Sequence, residues 1–276
     1  MIKKVKTAIK IIFIFIAFYI IFTKIPFSEF KNIKIQNPLF LLLAFIFYNL
    51  SQIISAKRVD IYLKNIDINL KFKKQLILYY LGMFYNTLLP GGIGGDAYKA
   101  YKYQKEFNSG YKKIIKALLI DRLSGLFAIF LLLGILSFFT SVKYATFLSL
   151  LLITPFILYF IHKFFFIEFK KSFFKNLLYS LIIQTLQLLT FLFILFSLGI
   201  KQKIIELSIL FFISSIISVI PISIGGLGLR ELTFLYGSEF LHINPAPVVM
   251  AGFLFFVINI ISSAIGAIFL LKEQNV

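Results

Sequence analysis

No cysteine occurs among the 276 residues, and there are only two histidines, His162 and His242. Disulfides and thiolate metal centres are thereby excluded, and a histidine metal site has too few ligands. No nucleotide-binding motif is present, so neither ATP use nor another cofactor is expected. Acidic residues are scarce, with 11 Asp and Glu against 29 Lys and Arg, a net charge of +18. Polar surface is short as well. Some 60% of residues are hydrophobic and mean hydropathy is +0.94, more apolar material than a soluble domain of this length can hide. The composition therefore describes an all-α polytopic membrane protein, with one membrane domain accounting for residues 1–276.

What is present is a series of apolar runs. A helix needs roughly 20 apolar residues to cross about 30 Å of hydrocarbon. Six stretches meet or approach that length: 7–23, 38–56, 114–139, 144–162, 176–198 and 248–271. The first follows Lys3, Lys4, Lys6 and Lys10 like a signal-peptide n-region. Thr23-Lys24-Ile25-Pro26 offers no small-residue cleavage site, so an uncleaved first helix is expected. Two further runs stop early. One, 75–89, ends at Pro90-Gly91-Gly92-Ile93-Gly94-Gly95; the other, 204–220, ends at Pro221-Ile222-Ser223-Ile224-Gly225-Gly226. Proline removes a helix donor and glycine weakens helix, so each break is real. Each run resumes as a short helix, over 96–105 and 227–241. Broken backbone at membrane depth survives only where protein or a wet cavity surrounds it.

Cation placement sets the orientation. Segments before the first span, in 57–74, 99–116 and 163–175 and at Lys272 hold 21 Lys and Arg; the intervening segments hold six. The positive-inside rule puts both termini in the cytoplasm of a cell (inner) membrane protein. The segment 75–105 then enters from the cytoplasm and returns to it, and 204–241 does the same from outside. The expected architecture is six spans plus two oppositely oriented re-entrant helical hairpins. Two full spans per hairpin would preserve the same parity. A half-helix of about 15 residues rises only about 22 Å, which favours re-entry.

The two breaks match. Both read Pro-x-x-Ile-Gly-Gly, at an offset of 131 residues, and at that offset Lys99 corresponds to Arg230. Each sits between two long spans, giving repeat units of about 38–139 and 176–271 with opposite starting sides. That is the pattern of an inverted-topology repeat, in which matched broken segments point to a transport site.

Ionisable residues within apolar surroundings are few: Asp96, Lys99, Asp121, Arg122, Arg230 and Glu231. Such charges are costly and face a cavity or a partner. Asp96 fits a helix N-cap, a ligand or proton site, or both. Gly91, Gly92, Gly94 and Gly95 expose amides ahead of a helix start, as Gly225 and Gly226 do; such amides either cradle phosphate or simply allow a tight turn. Arg230-Glu231 fits a structural ion pair, with each other or with Asp121-Arg122, or a phosphate fork. Asp121-Arg122 fits an interfacial anchor. Tyr79, Tyr80, Tyr85, Tyr98, Tyr101 and Tyr103 are expected at headgroup level. Lysines in 57–74 and 99–116 suit anionic phospholipids rather than nucleic acid, because their flanking segments are membrane-bound.

Three blocks carry a family likeness: Leu88 to Asp96, Asp121-Arg122-Leu123-Ser124-Gly125-Leu126, and Pro221 to Glu231. In order and content they resemble the membrane region of the lysylphosphatidylglycerol synthase/flippase family. In that family a cytosolic C-terminal domain aminoacylates phosphatidylglycerol, and the membrane domain moves the product outward. This sequence ends at Val276, so no soluble synthase domain is expected, and lysyl-lipid as cargo is not implied. The resemblance implies a flippase-like membrane domain with its cargo open. The leading expectation is a lipid flippase, not an enzyme, with a headgroup phosphate held by Arg230, Lys99 and the glycine amides. A membrane enzyme using Asp96, Asp121 and Glu231 on lipid-linked phosphates is the alternative; it lacks a paired-carboxylate metal motif and a histidine in either break. A small-solute transporter, or an accessory subunit, homo-oligomer or partner of envelope-synthesis proteins, is the third.

Overall fold

The computed structural model describes residues 2–88, 94–140, 142–220, 223 and 225–273, with the backbone alone at 2–10, 88, 143–145 and 271–273. Gly91 and Gly92, with Pro90 and Ile93 of the first Pro-x-x-Ile-Gly-Gly motif and Pro221, Ile222 and Ile224 of the second, lie outside the described residues. Among those described there is no strand. Eleven α-helices run α1 (Ile2–Lys24), α2 (Phe27–Asn32), α3 (Pro38–Lys64), α4 (Phe72–Leu88), α5 (Gly94–Phe107), α6 (Tyr111–Leu136), α7 (Thr154–Phe165), α8 (Phe173–Ser197), α9 (Ile204–Ile217), α10 (Leu229–Phe240) and α11 (Pro245–Glu273).

Five stretches among the described residues are long and apolar enough to cross a membrane: Pro38–Lys64, Tyr111–Leu136, Thr146–Phe165, Ile167–Ser197 and Pro245–Leu270. They match five of the six expected spans. In the first, the helical backbone runs 23 residues, but four lysines occupy its first ten positions and the apolar part, Ile11–Lys24, is shorter. The 144–162 span is not one regular helix. A 3₁₀ stretch, Lys143–Ile153, hands over to α7, which has Pro155 in its first turn. Proline lacks the N–H and crowds the carbonyl four residues back, so it is tolerated at a helix start and not in its interior. The outer faces here carry phenyl rings, Phe147, Phe156, Phe160 and Phe164 all being more than half exposed, as lipid contact requires.

The helices at the breaks are short. α4, α5, α9 and α10 have 17, 14, 14 and 12 residues, so they rise about 18–26 Å at 1.5 Å per residue. Each pair runs antiparallel. Along α4 and α5 the partners are Asn86 with Gly95, Gln75 with Tyr103 and Lys74 with Glu106. Along α9 and α10 they are Ser218 with Gly226, Leu210 with Gly237 and Lys203 with Leu241. Gly95 is what lets α4 and α5 meet, since a Cβ there would overlap the Gly82 carbonyl.

The long helices α3 and α8 lie along one another at the centre. Both helices carry polar residues at helical spacing: Tyr48, Ser51, Gln52, Ser55, Arg58 and Tyr62 on α3, and Asn176, Ser180 and Gln184 on α8. All of these are buried. The apolar core is strongly aromatic, with Phe191 of α8 stacked between Phe211 of α9 at 4.8 Å and Phe234 of α10 at 5.1 Å. Such offset pairs add about 0.5–1.5 kcal/mol each beyond the area they bury.

Candidate functional site

Arg58 is the anchor of the polar interior. Its Nε donates to Asp121 Oδ1 of α6 at 2.7 Å, and its Nη1 donates to Ser180 Oγ of α8 at 2.9 Å. Both charges are almost wholly enclosed. A charge so placed persists only when paired and hydrogen-bonded, and here one guanidinium ties three helices together.

Next to it lies a second cluster. Lys99 of α5 reaches Asp96 Oδ1 at 2.7 Å, and Arg122 of α6 donates to Asp96 Oδ2. Two cations thus share one carboxylate. Lys99 also sits over the Tyr79 ring at 5.3 Å. Asp96 lies in the first turn of α5, so the helix dipole adds to the attraction. The N–H of Gly95 is taken up by Asn86 Oδ1 at 2.7 Å, so that amide is not available to a phosphate.

These residues enclose a chamber of about 190 Å³ lined by Arg58, Tyr79, Asn86, Asp96, Lys99, Asp121 and Arg122 among others. Three cations face two carboxylates, leaving a formal charge of +1. Asp96 and Arg122 also form the end wall of a larger groove, about 480 Å³, whose other walls are Ala97, Ala100, Tyr111, Ile115, Leu118 and Leu119. A polar chamber and an apolar groove between α5 and α6 therefore share one boundary. Arg122 stands on it with its side chain 45% exposed, against 7% for Lys99.

The second hairpin is arranged differently. Arg230 is buried, its guanidinium over the Phe211 ring at 5.5 Å and the Phe255 ring at 4.5 Å, and its Nη1 has no hydrogen-bond partner. Glu231 caps the helix through the Gly228 N–H at 2.7 Å. Neither bonds the other, and neither reaches Asp121 or Arg122. Gly225 and Gly226 adopt positive φ of 61° and 84°, which only glycine takes without strain. Of the expected site residues, the structure gathers Asp96, Lys99, Asp121 and Arg122 around one chamber and leaves Arg230 and Glu231 apart from it.

Residues 7–266 match the model of the lysylphosphatidylglycerol synthase TM region. The chain belongs to that family. A UPF0104 membrane protein from Pyrococcus horikoshii is 36% identical over 86 residues, 30% of this chain and 26% of the relative, so the match spans about a quarter of that relative's length. No solved structure matches the chain. The family block Asp121 to Leu126 now has a physical content: Asp121 holds Arg58, Arg122 holds Asp96, and the Gly125 carbonyl accepts from Gln184 of α8 at 3.3 Å.

Two expectations are narrowed. The tyrosines of 79–103 do not all stand at an exposed face. Tyr80 and Tyr103 are buried, donating to Asn49 at 3.0 Å and to Gln75 at 2.9 Å; of the six, Tyr101 is the one more than half exposed. Phenol groups need a buried acceptor once the ring is enclosed, and α3 and α4 supply it. Asp121-Arg122 is divided: Asp121 is buried against Arg58, while the Arg122 side chain is 45% exposed. Arg58 was hidden within the basic segment 57–74. The signal that locates it is the polar spacing of α3, where Gln52, Ser55, Arg58 and Tyr62 recur every three or four residues through an apolar helix.

Proposed function

We propose that this protein moves a phospholipid or lipid-linked headgroup between the leaflets of the cytoplasmic membrane, without catalysing a reaction. The observation that carries this is the shared boundary at Asp96 and Arg122. An acyl chain suits the apolar groove on α5 and α6, and an anionic headgroup suits the chamber with its surplus of one positive charge. A soluble anion would have no use for the groove. Anionic phospholipids are the favoured cargo, with Lys99 and Arg122 exchanging part of their hold on Asp96 for a phosphate oxygen. Gly94, the first residue of α5, would border that headgroup.

The proposed topology has six spans, with both termini cytoplasmic, and re-entrant hairpins α4–α5 and α9–α10 in an inverted repeat of 38–139 and 176–271. Its packing supports this. Exchange α3 with α8, α4 with α9, α5 with α10 and α6 with α11. Each close partnership among these eight helices then maps onto another: α3–α4 onto α8–α9, α4–α5 onto α9–α10, α5–α6 onto α10–α11, α3–α6 onto α8–α11, α4–α11 onto α6–α9 and α3–α11 onto α6–α8, while α3–α8 maps onto itself. The matched basic residues also correspond in setting: Lys99 lies over an aromatic ring of α4 and Arg230 over one of α9. A two-fold relation of this kind gives a transporter two equivalent ways to open.

The test is a leaflet-resolved assay in proteoliposomes. Reconstituted protein should speed the exchange of a labelled anionic phospholipid over empty vesicles. No acceleration with any anionic or lipid-linked headgroup would overturn the proposal.

A further inference from the structure

Glu231 lies outside the chamber and is unused by the lipid reading. Its side chain is fully buried. Oε2 accepts the Gly228 N–H at 2.7 Å, while Oε1 has no hydrogen-bond partner. Glu231 is among the residues that border a cavity of about 240 Å³ between α10, α1, α2 and α11, with its carboxyl oxygens buried behind an apolar lining that includes Phe18, Phe22, Phe30 and Phe253.

Among the described residues the one cation that acts on it is its neighbour Arg230, which attracts it but makes no hydrogen bond to it. The walls from α1, α2 and α11 are phenyl and aliphatic groups with no titratable member. From α9, Phe211 faces Arg230, and Glu206 is bonded to Thr140 at 3.1 Å. On α10 itself Arg230 is held over Phe211 and Phe255. Further along, Lys24 of α1 occupies both Glu239, at 2.8 Å, and the Tyr236 ring, at 4.7 Å. An ionised carboxylate with one bare oxygen in an apolar cavity is strongly unfavourable unless a proton or a counter-charge completes it. The walls offer no counter-charge, and a cavity this apolar stays dry.

We propose that Glu231 is a proton-binding site whose occupancy is coupled to opening of the cavity between α1 and α10–α11. With the cavity closed, Oε1 carries the proton and Oε2 goes on capping α10. Loss of that proton to water leaves a charge that must be hydrated, which parts α1 and α2 from α10 and α11. The turn into α10 feels the change directly, because Oε2 holds Gly228 and the turn is built from Gly225, Gly226 and Gly228 at positive φ. Raising the pH therefore favours the open form.

Full-length protein in lipid nanodiscs tests this without any lipid movement, so its outcome is separate from that of the flippase assay. Infrared difference spectra between acidic and alkaline buffer should show the carbonyl band of a buried carboxylic acid, lost in Glu231→Gln and kept in the exposed control Glu29→Gln. The absence of native cysteine allows a second readout that keeps Glu231 intact. Met250→Cys, on the cavity wall, should react with a water-soluble thiol reagent faster at alkaline pH by several-fold more than the rise in thiolate alone gives, and Glu231→Gln should remove that excess. Absence of the band, its survival in Glu231→Gln, or a pH dependence of Met250→Cys labelling that is the same with and without Glu231→Gln would each overturn the proposal.

Discussion

At the scale of single residues, the account rests on which charges are enclosed. Arg58 and Asp121 are both nearly inaccessible, so removing one leaves the other buried without a partner. Arg58→Ala is expected to destabilise the fold by about 3–5 kcal/mol, and the double variant Arg58→Met with Asp121→Leu by markedly less. Denaturant unfolding in detergent reads both, and additive losses would contradict the pairing. Arg122 is the opposite case. Its side chain is 45% exposed and shares Asp96 with Lys99, so an exposed-pair contribution of about 0–1 kcal/mol is the upper bound on its structural role. Arg122→Gln should leave stability within about 1 kcal/mol while slowing lipid exchange roughly tenfold, the loss of one charge-assisted contact. Asp96, Lys99, Asp121 and Arg122 were legible in the sequence because charge is rare in an apolar chain. Their partners were not. Nothing in the spacing says that Asp121 finds Arg58, 63 positions away, rather than its neighbour Arg122.

At the scale of elements, the decisive features are the two short antiparallel pairs. Proline and glycine announced both breaks, and the helices on either side begin and end close to where those residues require. The close approach within the first pair depends on Gly95, whose added Cβ would overlap the Gly82 backbone. Backbone cannot yield as a flexible side chain does, so Gly95→Ala should cost at least the 1–3 kcal/mol typical of overpacking. Thermal unfolding and a raised protease sensitivity at the hairpin measure it; a neutral effect would mean that α4 and α5 are not in contact there. The 3₁₀ stretch before α7 was less legible, since its residues are as apolar as a helical span and only Pro155 distinguishes them. The burial of Tyr80 and Tyr103 was hidden for a related reason. Tyrosine suits an interface and a hydrogen-bonded core equally well, and only the acceptors on α3 and α4 decide between them.

For the whole molecule, composition alone placed the chain in a bilayer, and the cation asymmetry supplied an orientation. The absence of cysteine makes that orientation simple to test. Single cysteines at Lys71 and Asn108 should be labelled from the cytoplasmic side, and those at Lys34, Lys203 and His242 from the other. Mixed labelling would break the proposed topology. The pairing of α3 with α8 at the centre could not be read from the sequence, because residue matches were confined to the two breaks and the pairing is a property of packing. The central claim is that an anionic headgroup uses the chamber bounded by Arg122 while its acyl chains stay in the groove between α5 and α6. Its most direct test is the leaflet exchange of a labelled anionic phospholipid in proteoliposomes bearing either the native protein or Arg122→Gln. Faster exchange with the native protein, reduced roughly tenfold by Arg122→Gln at unchanged stability, is the predicted result; equal exchange in both, or none above empty vesicles, would contradict it.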